Sequence, residues 1–323
     1  MQVIILGSGA GGGFPQWNCQ CSQCAAMRCG DFPSTPRTQS SIAVSDDGKR
    51  WVIINASPDI RQQINQTPAF YTPVENTPAE NTPVDKSDPT LFSALSTLRQ
   101  TRIRAVILTD AQIDHTTGLL TLREGLPLPL YCTEAVKMSL TEEFPLLPIF
   151  EHWNGGYQCH TISNEWRIDA IPTLRFIPIP IRSNAPPYSR FRHQPRPMET
   201  IALHIIDEKT GGQLLYAPGM EAANSEIERV MHKVDCALID GTLWDDDEMI
   251  HLGLGTLRGR DMGHLHLNGH DGTMAWLKPF TKPRKILVHI NNTNPILNQH
   301  SAERALLEHA GIEVGFDGMT LNL

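Results

Sequence analysis

The hydrophobic positions of the chain fall in short runs separated by glycine, proline and polar turns. Residues 3–6 form an apolar run that predicts a short strand. Residues 40–45 and 51–55 flank an Asp-Asp-Gly-Lys turn, a pattern that predicts a β-hairpin. A helix is predicted to follow with Ser57 as its cap. The beginning of the chain is therefore predicted to be mainly β-structure.

From residue 90 onward, predicted strands alternate with predicted helices. The predicted strands are residues 104–109, 129–132, 200–206, 213–216, 236–240 and 285–290. The predicted helices are residues 90–95, 117–124, 134–140, 222–232, 273–277 and 302–310. Hairpins mixed with βα units favour sheets flanked by helices, an α/β (α+β) fold class. Because no break in composition divides the chain, residues 1–323 are predicted to form a single domain.

A Thr-Pro repeat interrupts this pattern in residues 66–90. The pair recurs every five residues, beginning at Thr67, Thr72, Thr77 and Thr82. Prolines at this density are excluded from helix interiors and central strands, so we expect a surface loop inserted in the domain. A proline-rich docking site is the alternative, and the polar composition favours the simple insert.

Composition and charge narrow the classes of partner. The chain has 323 residues, of which 40% are hydrophobic, and its 35 acidic residues exceed its 27 lysines and arginines. The resulting net charge of -8 argues against nucleic acid or an anionic membrane as the main partner. We find neither a signal-peptide pattern nor an apolar run long enough to span a membrane, and therefore expect a cytoplasmic protein. A homo-oligomer remains open.

A glycine-rich segment follows the first predicted strand. Residues 7–13 contain a G-x-G-x-x-G match, which in dinucleotide-binding proteins opens a helix. Here the following residues, Phe14-Pro15-Gln16-Trp17, have no helical period. The segment is therefore predicted to be a sharp loop, and no cofactor-binding residues are assigned to it.

Three closely spaced cysteines are the clearest candidate metal ligands. Cys19, Cys21 and Cys24 are spaced so that three thiolates could surround one tetrahedral ion, and zinc prefers sulfur ligands. We predict a structural Zn(II) site. Cys29 or a residue from elsewhere could supply the fourth ligand. The alternative is a loop of reduced, unliganded cysteines.

A second candidate set combines two histidines and one carboxylate. Asp114 and His115 lie where a buried strand gives way to a helix, and His289 lies at the end of a later strand. Each histidine alone is more often a packed or hydrogen-bonded residue than a metal ligand. Together with Asp114, however, they form the ligand set typical of non-heme Fe(II), which leaves positions open for oxygen and substrate. We predict an active-site iron there.

These motifs resemble those of the metallo-β-lactamase superfamily. The order Thr109-x-x-x-x-Asp114-His115-x-x-Gly118 is similar to its His-x-His-x-Asp-His segment, and the cysteine loop and residues 314–319 resemble its phosphonate-pathway phosphodiesterase branch. More closely, the chain resembles the PqqB family of pyrroloquinoline quinone (PQQ) biosynthesis over nearly its whole length apart from the Thr-Pro insert. The segments that carry this resemblance are residues 55–61, 112–120, 152–156, 240–244 and 289–295. The resemblance implies an αββα sandwich of two mixed sheets flanked by helices.

The chain departs from the hydrolase pattern at several positions. Asp110 and Gln112 occupy the places of the first two superfamily histidines. No histidine follows residues 176–180, and residues 216–219 lack the usual bridging aspartate. A two-metal hydrolase mechanism is therefore not expected. In the related branch a histidine closes the cysteine site where this chain has Asn292, which leaves the fourth zinc ligand open.

The resemblance also implies a function. It implies an iron-dependent oxygenase that uses O2 to hydroxylate the tyrosine ring of a peptide-derived Glu-Tyr precursor, with other PQQ-pathway proteins as further partners. The alternative is a non-catalytic carrier that assists transport of PQQ or its precursor to the periplasm. The loop around His264 resembles a superfamily loop that approaches substrate, which implies a catalytic acid or base. A plain loop histidine is the alternative.

Two charged stretches have simpler interpretations. Arg182, Tyr188, Arg190 and Arg192 lie in a basic, proline-rich stretch that is either a receptor for an acidic substrate or a solvated loop. Residues 245–248, Asp-Asp-Asp-Glu, are interpreted as the solvated start of a helix, where acids favour the helix dipole.

Overall fold

The computed structural model of the protein describes residues 1–71 and 101–323, which contain fourteen strands in two sheets. The strands are β1 (Gln2–Gly7), β2 (Ser41–Ser45), β3 (Trp51–Ile54), β4 (Ile103–Ile107), β5 (Leu128–Cys132), β6 (Tyr157–Thr161), β7 (Trp166–Arg167), β8 (Leu174–Pro180), β9 (Ile201–Asp207), β10 (Gln213–Ala217), β11 (Cys236–Asp240), β12 (Arg284–Val288), β13 (Ile312–Val314) and β14 (Thr320–Asn322). The helices within the same residues are α1 (Ser22–Cys29), α2 (Ile60–Asn65), α3 (Ile113–Thr116), α4 (Leu119–Leu122), α5 (Glu134–Met138), α6 (Leu146–Ile149), α7 (Ser225–Met231), α8 (Glu248–His251), α9 (Gly259–Met262), α10 (Thr273–Leu277) and α11 (Ala302–His309).

Each sheet has seven strands and is mixed. The first has the order β14-β1-β2-β3-β4-β5-β6, and the second has the order β13-β12-β11-β10-β9-β8-β7. The expected hairpin is confirmed, since β2 and β3 pair antiparallel with Val44 opposite Val52. β10, β11, β12 and β13 are parallel neighbours. The apolar sequence of β11 is fully buried, as is typical of a strand inside a parallel sheet.

The main hydrophobic core lies between the two sheets. Ile5, Val52 and Ile107 of the first sheet belong to the same buried cluster as Leu203 and Leu238 of the second. Helices α7, α10 and α11 cover the outer face of the second sheet, and helices α4, α5 and α6 cover that of the first. The expected αββα sandwich is therefore confirmed.

The region after β4 differs from the sequence prediction. A single helix was expected over residues 117–124, but helical structure begins at Ile113 and is divided between α3 and α4. The division lies at Gly118, where an added Cβ would approach the carbonyl oxygen of Ser57 to 2.2 Å. Asp114 and His115 therefore lie on the first short helix, and its rigid backbone fixes their directions.

Other local differences are small. The cap of α2 is Asp59 instead of Ser57. Helix α1 has few apolar residues and strands β13 and β14 have only three residues each, so the sequence did not predict them; β14 acquires its strand form by pairing with β1. Glu248, expected to be solvated at a helix start, is buried.

Two sequence predictions concern residues outside the described part of the chain. The Thr-Pro insert is described only as far as residue 71, where Pro68–Phe70 forms a single 3₁₀ turn. The helix expected over residues 90–95 lies entirely outside the described residues. Among the described helices, none combines the length and hydrophobicity needed to cross a bilayer.

Candidate metal centres

The ends of two strands, one in each sheet, bring the predicted iron ligands together. Asp114 and His115 lie on α3, directly after β4, and His289 follows β12 in the facing sheet. Asp114 Oδ2 lies 3.3 Å from His289 Nε2 and 3.9 Å from His115 Nε2. The three ligand atoms all lie within 4.8 Å of one another, as binding to one ion requires. The three residues come together as the sequence predicts, although 175 positions separate Asp114 from His289.

Each of these two histidines is held through its Nδ1 atom. His115 Nδ1 lies 2.9 and 2.8 Å from the two carboxylate oxygens of Asp110. His289 Nδ1 lies 2.9 Å from the hydroxyl of Thr242, which also donates to the backbone carbonyl of His289 at 2.9 Å. His289 has a left-handed backbone with φ of 56°, which turns its ring away from the strand direction. Both Nε2 atoms are thereby directed toward Asp114.

The Nε2 atom of His115 is buried and has no hydrogen-bond partner within the described residues. An unpartnered buried nitrogen is costly unless a ligand or ion satisfies it. The Asp110–His115 pair has the arrangement of a carboxylate that orients a metal-binding histidine and raises its basicity. Asp110, which stands where the superfamily has a histidine, therefore orients the ring of the predicted ligand His115.

The electrostatics of this cluster favour a cation. Burial alone lowers the pKa of His115, but the carboxylates of Asp110 and Asp114 outweigh burial and raise it to about 9. Burial raises the pKa of the Asp114 carboxyl, but the neighbouring His115 and His289 outweigh burial and lower it well below its usual range. The side chains thus attract positive charge, and a metal ion would compete with the proton on His115.

His264 lies beside this cluster and is held by a buried carboxylate. Its Nδ1 atom lies 2.6 Å from Asp240 Oδ2, and its ring stacks on His289 with a centroid distance of 5.0 Å. Burial lowers the pKa of His264, and the charge of Asp240 raises it above the ordinary value. The ring is therefore fixed in orientation, with its other nitrogen left for a partner.

Asp240, His264 and His289 also bring ligand atoms within 4.8 Å of one another. The carboxylate of Asp240, however, already accepts hydrogen bonds from the backbone amides of Met220 and Thr242, both at 3.0 Å, and from the Thr242 hydroxyl at 2.6 Å. With His264 as its fourth donor, Asp240 is saturated. This arrangement suits the positioning of His264 better than the binding of a second ion.

A cavity of about 340 Å³ is lined by the three predicted iron ligands, Asp114, His115 and His289. A volume near the lower end of the range for small-molecule sites fits an amino acid or a dipeptide. The glycine-rich segment forms part of its wall, since an added Cβ at Gly11 would lie 3.3 Å from Asp114 Oδ2. No helix opens on that segment, and the predicted sharp loop is what the structure contains.

The three predicted zinc ligands form a separate cluster. Cys19, Cys21 and Cys24 surround the start of α1, and their sulfur atoms lie within 4.8 Å of one another. The side-chain amide of Asn292 lies 3.2, 3.8 and 3.3 Å from the sulfurs of Cys19, Cys21 and Cys24, respectively. Cys29 is exposed and does not belong to the cluster.

The cluster stabilises charge on sulfur unequally. Burial raises the pKa of the Cys19 thiol, but hydrogen bonds from Cys21, Cys24 and Asn292 outweigh burial and lower it. Burial dominates at Cys21, and together with the neighbouring thiols it raises the pKa to about 11. A divalent cation would relieve this competition by replacing the shared protons.

The basic stretch is divided by the fold. Arg182 pairs with Glu221, and Arg190 pairs with Glu142. Tyr188 donates to the carbonyl of Ala111 at 2.5 Å. Of these four residues, only Arg192 lines the cavity beside the histidines.

Sequence reasoning missed several supporting residues. Asp110 was recognised only as a departure from a pattern, and Asp240 and Thr242 only as part of a resembling segment. The position of Asp110 offered a partial signal, because it lies only five residues before His115 in the sequence. The pairing of Thr242 with His289 had no sequence signal.

Comparison with known proteins gives the family. The beta-lactamase superfamily domain model matches residues 87–290. Coenzyme PQQ synthesis protein B of Pseudomonas putida (strain W619) is 49% identical over 325 residues, with all of both chains covered. The chain belongs to the PqqB family. The crystal structure of Zn(2+)-bound PqqB from Methylobacterium extorquens is 38% identical, covers 100% of both chains and has a TM-score of 0.85.

The wider likeness is one of fold. A diphosphatase of the PhnP family has a TM-score of 0.64 with 18% identity and covers 100% of this chain and 97% of its own. The expected membership of the PqqB family and the metallo-β-lactamase-like αββα sandwich are therefore both confirmed.

Proposed function

We propose that the protein acts in PQQ synthesis as an iron-dependent oxygenase that hydroxylates the tyrosine ring of a Glu-Tyr precursor. The family name supports the pathway. The observation that carries the reaction type is the unpartnered, buried Nε2 of His115, which faces Asp114 and His289 at the edge of an open cavity. Two imidazoles and one carboxylate on one side of a cavity are the donor set of non-heme Fe(II) oxygenases.

Asp114, His115 and His289 would hold Fe(II). The metal bound there would supply the activation of O2 beside the phenol ring. Asp110 and Thr242 hold the two imidazole rings through Nδ1, so each ring presents Nε2 with its lone pair available. This fixed orientation lowers the cost of assembling the ligand set.

His264 is proposed as the catalytic acid or base. Asp240 holds its Nδ1 at 2.6 Å, which leaves Nε2 to accept or donate a proton at the phenol oxygen of the substrate. Its position on the cavity wall supports this role. Because Asp240 does not itself face the substrate in this scheme, it acts as a positioning residue.

Cys19, Cys21 and Cys24 would hold structural Zn(II), with Asn292 as the fourth group. Asn292 Nδ2 donates to the sulfurs of Cys19, Cys21 and Cys24 at 3.2, 3.8 and 3.3 Å. Rotation of this amide by about 180° about its last side-chain bond would present Oδ1 at the same position, where it could complete the ligand set of the ion.

Two alternatives fit the donor sets less well. A two-metal hydrolase needs a second ion, yet Asp110 is committed to His115, and Asp240 already accepts four hydrogen bonds. A carrier of PQQ or its precursor has no need for a metal site that opens to a cavity. The open three-donor site therefore favours an oxygenase over both.

The proposal is tested by oxygen incorporation. The full-length protein is loaded with Fe(II) without oxygen and then given O2, ascorbate as reductant and a Glu-Tyr peptide, and the peptide mass is followed. We expect the wild type to add one oxygen atom to the peptide, and His289→Ala to abolish this addition. His300→Ala alters an exposed histidine and serves as the matched control.

Two results would contradict the oxygenase. One is a wild type that binds Glu-Tyr without incorporating oxygen, which favours the carrier. The other is unchanged incorporation by His289→Ala, which removes the proposed ligand set from the reaction. Release of cleaved peptide fragments instead of oxidised peptide would favour a hydrolase.

A further inference from the structure

The arginines of the basic stretch have different partners. Arg182 Nε lies 3.1 Å from Glu221, Arg190 Nη2 lies 3.0 Å from Glu142, and Arg196 Nε lies 2.8 Å from Glu199. Arg192 has no carboxylate within ion-pair distance among residues 1–71 and 101–323, although it belongs to the same stretch. Neighbouring carboxylates therefore neutralise the other three arginines, whereas the charge of Arg192 has no carboxylate partner within the described residues.

Arg192 faces the same cavity as the iron-type ligands. It lines the wall together with Asp114, His115 and His289. Its segment is anchored, because the Arg192 amide donates to the carbonyl of Ser189 at 3.0 Å and the Tyr188 hydroxyl donates to the carbonyl of Ala111 at 2.5 Å. The segment that carries Arg192 is thus held beside the residues that lead into α3.

The guanidinium is incompletely satisfied where it lies. Its Nη1 donates to the carbonyl of Ala185 at 2.5 Å, the only side-chain hydrogen bond of Arg192 within the described residues. Arg192 is partly buried, and burial lowers the pKa of its guanidinium with no carboxylate to oppose the shift. A guanidinium stays protonated in proteins and offers a fork of further donors that matches a carboxylate.

Apolar residues also line the cavity. Pro187, Leu243, Leu257 and Met262 belong to its wall, together with polar residues such as Gln112, Ser183 and Asn291. A ligand that satisfies all three regions has a hydroxyl or ring edge toward the histidines, an apolar body and an anionic group.

We infer that Arg192 binds a carboxylate of the substrate and that the site selects phenols that carry a carboxylate. This inference rests on the proposed function for the identity of the ring, while the carboxylate contact rests on the unpaired arginine and the cavity. The bidentate geometry of a guanidinium and a carboxylate would fix the distance from the anionic group to the ring, and so the orientation of the ring. Arg192 is accordingly a specificity-determining residue.

Equilibrium binding with full-length, Zn(II)-loaded protein tests the inference without turnover. The ligands are Glu-Tyr, Gln-Tyr, which lacks the side-chain carboxylate, and Glu-Tyr amide, which lacks the terminal one. We expect Arg192→Gln to weaken Glu-Tyr by about 10- to 100-fold, the size of a charge-assisted contact. Binding of one of the two carboxylate-blocked peptides should be weak in the wild type and insensitive to Arg192→Gln. That peptide identifies the carboxylate that Arg192 contacts.

Matched variants separate a binding contact from a general effect. Arg190→Gln, which removes a cation paired with Glu142 on the surface, should leave binding unchanged. Arg192→Lys keeps the charge without the fork and should recover part of the lost affinity. Metal content should be the same in all variants, which shows that the site is intact.

The outcomes separate this inference from the oxygenase. Arg192-dependent binding without oxygen incorporation supports the carboxylate contact and contradicts the proposed reaction. Oxygen incorporation with Glu-Tyr affinity that does not change in Arg192→Gln overturns the inference and leaves the oxygenase standing. Failure of the wild type to bind Glu-Tyr, or equal loss of all three peptides in Arg192→Gln, also overturns it.

Discussion

The cysteine cluster and the cavity lined by Asp114, His115 and His289 share the loop after β12, but they differ in what surrounds their three ligand atoms. Each brings three ligand atoms within 4.8 Å of one another. His289 contacts Asp114 at the cavity and Asn292 contacts the cysteine sulfurs, so the loop after β12 contributes one residue to each region. The amide of Asn292 contacts all three sulfurs, although Cys21 also borders a second cavity, whereas Asp114, His115 and His289 all line a cavity of about 340 Å³.

This difference is the one we expect between the proposed structural site and the proposed reactive site. A metal ion with a closed ligand shell stabilises the fold, and one with open positions can bind a substrate. The shared loop is held to the first sheet by Ile290, whose amide donates to the carbonyl of Ser8 at 2.9 Å and whose carbonyl accepts from Ala10 at 2.9 Å. The two regions should therefore respond differently to substitution even though they are neighbours.

The largest effect is expected from removing a proposed sulfur ligand from the cysteine cluster. Cys24→Ser removes a fully buried, proposed ligand, and we expect loss of about one equivalent of zinc and a decrease of about 4 kcal/mol in the free energy of unfolding, since metal binding is linked to folding. Metal analysis and urea unfolding measure both. Asn292→Ala keeps all three thiolates and should lose less. Cys29→Ser, outside the cluster, should retain its zinc, and unaltered zinc in Cys24→Ser would contradict the site.

The next effect concerns the support of the loop between the two regions. Glu248 accepts hydrogen bonds from the Trp244 amide at 2.6 Å and from the Thr293 hydroxyl. Burial raises its pKa from 4.5 to about 7, and these hydrogen bonds only partly oppose the shift. Because the folded state binds this proton more tightly, its stabilisation is complete below about pH 4.5 and is lost as the pH rises through 7.

Urea unfolding at pH 5 and pH 8 measures this contribution. We expect the titration of Glu248 to lower the free energy of unfolding of the wild type by about 3 kcal/mol in total, and most of this decrease should occur between pH 5 and pH 8. Glu248→Gln should not show this decrease. The pH dependence of the exposed control Glu151→Gln should match the wild type. Equal pH dependence of unfolding in the wild type and Glu248→Gln would show that Glu248 is already ionised at pH 5.

The smallest effect is expected in the open site. Asp110→Ala removes the partner of His115 Nδ1 but no proposed ligand, and we expect metal affinity at the cavity to fall by about 10- to 100-fold. Asp110→Asn keeps an acceptor and should lose less. Titration of divalent metal into protein that retains its cysteine-bound zinc measures the effect. Unchanged affinity in Asp110→Ala would mean that the Asp110–His115 contact does not support metal binding.

The fold was predictable to the extent that its elements carry their own patterns. The apolar residues of β11 and the Asp-Asp-Gly-Lys turn of the β2–β3 hairpin specify those elements locally, and the structure has them. Strands β7 and β14 are short and are fixed by their neighbours, so no local pattern predicted them. The division of helix at Gly118 depends on close contact with the backbone of Ser57, which is distant in sequence.

The sequence by itself determined which ligand types are near one another along the chain. It placed Cys19, Cys21 and Cys24 at a spacing that one turn of helix and its preceding loop can close, and it placed Asp114 beside His115. Only the tertiary structure brought Asn292 to the cysteines and His289 to Asp114, because strands of two facing sheets end at the same edge. The paired and unpaired arginines of the basic stretch look alike in sequence, and only the positions of the surrounding carboxylates distinguish them.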